Sequence, residues 1–174
     1  MAGDEANYPP EFFREVFARS HKLGIPVTIH AGEAAGAVNV YEAVTHLGAA
    51  RIGHGVRLRE NADILEMVKH RKIPLEMCPI SNIQTKAVAS WDAYPIREYL
   101  NHGLIVTINT DNPSVSGTNI TKEYRAIADR FDFTTPELVK LIMNGVEAAF
   151  MEEQDKMLFR QEMEAELSRL GVYN

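Results

Sequence analysis

Four short apolar runs recur along the chain, and sequence with helical spacing follows each of them. The runs cover residues 25–30, 51–54, 73–79 and 104–109, and their apolar and β-branched residues predict strands. Apolar positions three or four residues apart predict helices over approximately 10–23, 38–47, 60–71, 95–102, 121–131, 136–150 and 152–170. Parallel strands require crossovers of this kind, so the alternation predicts an α/β fold with a parallel sheet that is covered on both faces.

Four βα units are compatible with a small open sheet or with part of an eight-stranded barrel. A complete (β/α)8 barrel takes about 250 residues, and this chain of 174 residues has about half of the necessary units. Its length fits one domain, and no shift in composition marks a linker. We therefore expect a single domain over residues 1–174.

Composition narrows the class of protein. The chain is 45% hydrophobic with a net charge of −6, which argues against nucleic acid or an anionic membrane as the main partner. The single cysteine, Cys78, excludes an internal disulfide and is typical of a reducing compartment. The first residues lack the basic and apolar regions of a signal peptide, and no apolar run reaches the roughly 20 residues of a membrane span. We expect a cytoplasmic protein.

Polar side chains follow three of the predicted strands. His30 ends the first and Glu33 follows it closely, His54 stands between two glycines at the end of the second, and Asp111 follows the fourth. Each has an ordinary alternative: a structural histidine, a solvated carboxylate, or a turn residue. Because α/β barrels place their chemistry at the carboxyl ends of strands, the recurrence favours an active site over these alternatives.

Other polar residues are assigned to structure. Four further histidines lie near predicted helix ends, where a cationic side chain complements the helix dipole: His21, His46, His70 and His102. Cys78 has no histidine near it in sequence, and burial is favoured over a nucleophilic role. Glu76 lies within the third strand, so we expect it to have a partner and to brace the site or the sheet.

Five segments of the chain resemble the adenosine deaminase family of the metal-dependent amidohydrolase superfamily. They occur in the family's order and at similar spacing across nearly the whole chain: Ala2-Gly3-Asp4-Glu5, Thr28-Ile29-His30-Ala31-Gly32-Glu33, Arg51-Ile52-Gly53-His54-Gly55, Cys78-Pro79-Ile80-Ser81-Asn82 and Asn109-Thr110-Asp111. The resemblance implies a TIM barrel and zinc-dependent hydrolysis of adenosine to inosine and ammonia.

The resemblance also implies a role for individual residues. His30 and Asp111 would be zinc ligands, and Asp111 would also be catalytic by accepting a proton from the metal-bound water. Glu33 would donate a proton to the purine N1. His54 would orient the zinc-bound hydroxide or deprotonate the water from which it forms.

Two further positions would contact the purine. Gly3 would approach it through its backbone, and Asn112 would contact N7. The family usually has aspartate at this last position, and an amide can donate directly to the N7 acceptor.

One element of the family's zinc site is absent from the sequence. The family's first barrel strand carries a His-x-His pair, and no such pair occurs in this chain. The resemblance begins at a segment that belongs at the exit of the fourth barrel strand. We therefore expect the C-terminal half of a deaminase barrel, with strands five to eight and additional terminal helices. Because a catalytic zinc normally has at least three protein ligands, we expect weak zinc binding and no meaningful turnover by this chain alone.

Half of a barrel leaves sheet edges and apolar surface to be covered, so we expect self-association or a complementing N-terminal half. Two alternatives to adenosine deamination stay open: an adenine or modified-purine deaminase with the same site, and a noncatalytic half-barrel association module. A phosphate site at residues 114–118 is disfavoured by the neighbouring carboxylates and the acidic net charge.

Overall fold

A four-stranded parallel sheet forms the centre of the fold. The structure is a computed structural model that describes residues 3–173; Ala2, in the first of the five segments, lies outside the described residues. The sheet has the order β1-β2-β3-β4, and its strands are β1 (Thr28–Ala31), β2 (Arg51–His54), β3 (Leu75–Met77) and β4 (Val106–Ile108). All four predicted strands are present, and the predicted parallel α/β class is confirmed.

Helices connect the strands and follow the last of them. A short 3₁₀ turn (Pro10–Phe13) leads into the first helix, and the α-helices of the described residues are α1 (Arg14–Lys22), α2 (Ala37–Thr45), α3 (Ala62–His70), α4 (Pro79–Gln84), α5 (Ile96–Asn101), α6 (Pro113–Ser116), α7 (Ile120–Phe131), α8 (Thr135–Ala148) and α9 (Glu153–Arg169). None of these helices is long and apolar enough to cross a membrane.

The strands are buried because helices pack against them. Ile29, Ile52, Leu75 and Val106 are fully buried at the centre of the core. The register pairs Ala31 with His54 and Met77 with Ile108. In this parallel register the strands end at a common edge, and the polar residues that follow them meet there.

The chain departs from the sequence prediction after β3. The predicted third strand extended over 73–79, whereas the ladder ends at Met77 and Pro79 begins helix α4. Proline is favoured in the first turn of a helix, because the N–H that it lacks would have no partner inside the helix. This short helix places Ser81 and Asn82, both buried, at the edge of the sheet where the strands end.

Candidate active site

The polar residues that follow the strands meet around one cavity. His30, Glu33 and His54 each offer a ligand atom, and these three atoms lie within 4.8 Å of one another. His30, His54 and Asp111 line a cavity of about 450 Å³. The structure therefore brings together the four residues that the sequence singled out at the strand ends.

His30 lies on β1 with its ring above Gly53 of the neighbouring strand. A Cβ atom at Gly53 would lie 2.6 Å from the ring carbon Cδ2 of His30, so only glycine leaves room for the ring. Nδ1 of His30 is 3.2 Å from Nε2 of His54, and Nε2 of His30 has no hydrogen-bond partner within residues 3–173. Burial lowers the pKa of His30, which the charge of Asp111 partly opposes. The imidazole is thereby kept neutral, as a metal ligand must be.

His54 is buried at the end of β2 in a strained backbone conformation. Its φ is 65°, a value that residues with side chains rarely adopt and that is concentrated at functional sites. Nε2 of His54 lies 3.3 Å from Oε2 of Glu33. Burial lowers the pKa of His54 to about 4, helped by the neighbouring His30 and opposed by Asp111. The ring is therefore neutral at pH 7.

Glu33 reaches the same space through a tight turn. Gly32 has a φ of 71°, and a Cβ atom there would lie 2.8 Å from the Val40 side chain. The turn directs the carboxylate of Glu33 towards His54 and towards the amide of Asn82, whose nitrogen lies 3.4 Å from Oε1. Burial raises the pKa of Glu33, and the negative charges of Asp111 and Glu5 raise it further. Glu33 is thus a carboxylic acid that holds its proton more strongly than an exposed glutamate does.

Asp111 follows β4 and also has a strained backbone, with a φ of 55°. The hydroxyl of Ser81 donates a 2.7 Å hydrogen bond to Oδ2 of Asp111, which orients the carboxylate. The next residue, Asn112, caps helix α6: its Oδ1 accepts from the backbone N–H of Val115 at 3.1 Å. The amide group of Asn112 is therefore oriented with its nitrogen available as a donor.

Glu5 holds the first described segment against the turn that carries Glu33. Its buried carboxylate accepts hydrogen bonds from the backbone N–H groups of four successive residues, 32 to 35, at 2.6–3.2 Å. The side chain of Asn39 donates to the same carboxylate at 3.1 Å. Gly3, the expected purine contact, is exposed at the start of this segment, and its carbonyl accepts from the N–H of Glu5.

The residues assigned to structure have structural contacts. Cys78 is buried, and burial raises its pKa, which makes a nucleophilic thiolate unfavourable. Glu76 accepts a hydrogen bond from Thr28 at 2.6 Å and forms an ion pair with Arg51, as its position in a strand required. His46 pairs with Glu42 one helical turn earlier.

Sequence reasoning gave no role to three residues that the structure places in the site: Glu5, Ser81 and Asn82. Each lies in a segment that carried the family resemblance, so the segments themselves were the available signal. Their partners are 27 to 49 residues away along the chain, and no local pattern indicates such contacts.

His30 and Asp111 fit a zinc ion as part of a ligand shell. His30 supplies a neutral imidazole with one nitrogen that has no partner among the described residues, Asp111 supplies a carboxylate, and both line the same cavity. Imidazole and carboxylate are donors that zinc prefers. The carboxylate of Glu33 and the ring of His54 lie close enough to His30 to form a different set of three ligands.

Comparisons with known proteins show what the chain as a whole is similar to. The family model for adenosine deaminase matches residues 1–166. Adenosine deaminase from Enterococcus faecalis is 42% identical over 164 residues, which is 94% of this chain and 48% of that protein. Adenosine deaminase from Shewanella denitrificans is 40% identical over 90% of this chain. The chain spans about half the length of the curated relatives that it matches.

Solved structures agree with the fold. The crystal structure of adenine deaminase from Arthrobacter aurescens superimposes with a TM-score of 0.91 at 28% identity, covering 96% of this chain and 51% of that one. An amidohydrolase from B. ambifaria with bound zinc gives a TM-score of 0.90 at 25% identity, covering 98% of this chain and 48% of that one. The predicted fold class is confirmed: the chain has the parallel βα units of half of a (β/α)8 barrel, followed by additional helices.

Proposed function

Because the chain belongs to the adenosine deaminase family, we propose that it supplies the acid–base half of a site that hydrolyses adenosine to inosine and ammonia. One observation carries the proposal: a carboxylic acid with a raised pKa, Glu33, contacts a neutral histidine, His54, beside a cavity that His30 and Asp111 line. Paired groups with pKa values displaced in opposite directions are typical of acid–base catalysis.

Glu33 is the general acid of this proposal. Addition of water to C6 of the purine places negative charge on the ring, which a proton on N1 neutralises. The raised pKa of Glu33 keeps a larger fraction of the acid form near neutral pH, where the proton is needed. His54 lies 3.3 Å from this carboxylate. In the proposed reaction it would contact the water that adds to the ring.

His30 and Asp111 would hold the zinc ion. When bound, zinc lowers the pKa of a coordinated water to about 7 and so supplies hydroxide at neutral pH. Two ligands are fewer than the three that catalytic zinc sites take from the protein, so in this assignment a complementing half would supply the remaining ligands. The bound zinc of the amidohydrolase from B. ambifaria supports the choice of metal.

Asn112 and Gly3 would contact the purine. The amide of Asn112 accepts through its oxygen, so its nitrogen suits the N7 acceptor. An exposed glycine at position 3 allows close approach of the backbone. The similarity to an adenine deaminase favours a second candidate, deamination of the free base or a modified purine at the same site.

A second polypeptide half, or a second copy of this chain, would complete the sheet. The requirement for further zinc ligands favours the complementing half. We also propose a cytoplasmic location, which the single free thiol of Cys78 supports.

Joining the two halves tests the proposed function. The chain is co-purified with the N-terminal half of the Enterococcus faecalis relative, zinc is added, and release of ammonia from adenosine and from adenine is measured. We expect turnover by the pair, none by this chain alone, and a loss of about 10²–10⁴-fold in the Glu33→Gln variant of the pair. A zinc-loaded pair that deaminates neither purine would contradict the proposal and favour the noncatalytic association module.

A further inference from the structure

Asn82 is a buried amide that contacts both acid–base residues. Its nitrogen Nδ2 lies 3.0 Å from Nδ1 of His54 and 3.4 Å from Oε1 of Glu33. Asn82 is fully buried, and His54 is 1% exposed. Since water has little access to these atoms, the hydrogen bonds of the amide must be satisfied by the protein.

The opposite end of the amide determines which way it points. Its oxygen Oδ1 lies 3.3 Å from the backbone nitrogen of Cys78 and 3.2 Å from the hydroxyl of Tyr94. A backbone N–H can only donate, so the group that faces Cys78 must be the oxygen. In the reversed orientation, the amide nitrogen of Asn82 would face the backbone N–H of Cys78, so two donors would oppose each other. The amide oxygen would then face the carboxylate of Glu33, so two acceptors would oppose each other.

This orientation decides the position of the proton on His54. The Nδ2 group is a donor, so Nδ1 of His54 must accept and cannot carry a proton. An imidazole with a bare Nδ1 carries its proton on Nε2. Nε2 in turn faces an acceptor, Oε2 of Glu33 at 3.3 Å. It also lies 3.2 Å from Nδ1 of His30, whose role as donor or acceptor depends on the tautomer of that ring.

We infer that Asn82 is a positioning residue that holds His54 in the tautomer with its proton on Nε2. The tautomer of His54 follows from the hydrogen bonds of Asn82 alone. The role of that tautomer in the reaction rests on the proposed function. In that reaction His54 orients the water by donating from Nε2, because its single lone pair, on Nδ1, is occupied by Asn82. The alternative in which His54 takes the proton from the water through Nε2 is thereby disfavoured.

Nitrogen NMR of the histidine rings tests this assignment without requiring turnover. The full chain is labelled with ¹⁵N-histidine and studied at pH 7 with a chelator, and the resonances of His54 are identified by their loss in His54→Gln. We expect Nδ1 of His54 at the position of an unprotonated ring nitrogen and Nε2 at that of a protonated one. A protonated Nδ1 in the wild-type chain would overturn the inference, and this result needs no Asn82 variant to fold.

The Asn82→Asp variant tests whether Asn82 is the cause. A carboxylate of the same shape can only accept, so we expect Nδ1 of His54 to gain a proton and its resonance to move to the protonated position. Asn61→Asp is the matched control, because Asn61 is an exposed cap of α3 and aspartate caps a helix equally well. A folded Asn82→Asp chain in which Nδ1 of His54 stays unprotonated would overturn the inference. Absence of deamination in the joined protein would leave these spectra unchanged, so failure of the proposed function is distinguishable.

Discussion

At the scale of single residues, burial of His54 couples its protonation to folding. Its pKa is about 4 in the fold and 6.5 for an ordinary histidine, so the unfolded chain binds the proton more readily between these values. The stabilising contribution is therefore complete above pH 6.5 and is lost as the pH falls towards 4. The shift predicts a loss of about 3 kcal/mol in the free energy of unfolding by pH 4.

Urea denaturation of wild type and His54→Gln across this pH range measures the contribution, because groups that do not contact His54 titrate equally in both chains. We expect the wild-type chain to lose more stability on acidification than the variant does. Parallel pH profiles would show that the buried ring is not the cause. The raised pKa of Glu33 acts in the opposite direction, since its protonated form is favoured by the fold.

The zinc ligands can also be distinguished residue by residue. If His30 and Asp111 bind the ion, His30→Gln and Asp111→Asn should each weaken zinc binding by about tenfold or more, because even the loss of a group that only orients a ligand costs roughly 10–100-fold. His54→Gln should have a much smaller effect. Calorimetric titration with zinc measures all three. Equal weakening by His30→Gln and His54→Gln, with Asp111→Asn unchanged, would instead favour the set of His30, Glu33 and His54.

At the scale of elements, the turn after β1 depends on a residue far away in sequence. Four backbone N–H groups of this turn converge on the carboxylate of Glu5. Hydrogen bonds to a buried charged acceptor are among the stronger ones, and unpaired N–H groups in the same place are costly. Glu5 thus stabilises the turn that presents Glu33 to the cavity.

We expect Glu5→Gln to lower the free energy of unfolding by about 2–4 kcal/mol, because the amide loses the charge and turns an N–H group towards other donors. Amide hydrogen exchange at residues 32–35 should accelerate in the variant. Glu11→Gln changes an exposed glutamate in the same way and should alter stability by less than about 0.5 kcal/mol. An effect of Glu5→Gln no larger than that of this control would contradict the role of the turn contacts.

The strands and the strand-end residues could be predicted from sequence, and the contacts between them could not. Apolar runs and strand–helix alternation were sufficient to place His30, His54 and Asp111 at one edge of the sheet. Helix α4 was missed because the predicted third strand was extended to Pro79, which is the first residue of this short helix. The contact between Asn82 and His54 joins residues 28 positions apart, and only the packed fold brings them together.

At the scale of the whole molecule, the described sheet has two unpaired edges. β1 and β4 each pair with one neighbour within residues 3–173, and an exposed strand edge is a template for association. Beside β4 lies an apolar groove of about 540 Å³ lined by side chains that include Ile108, Tyr124, Ile142 and Phe159. Both features are suited to contact with further polypeptide.

We therefore expect the chain alone to associate as its concentration rises, since the open edges and this groove would otherwise stay in contact with water. Light scattering over a range of concentrations measures the mass, and thermal melting reports cooperativity. Phe159→Glu places a charge in the groove and should shift the distribution towards monomer, whereas Leu23→Glu, at an exposed leucine outside the groove, should not. A wild-type chain that stays monomeric at all concentrations and melts cooperatively would contradict this expectation. Residues 1–174 would then fold stably with both sheet edges exposed to solvent.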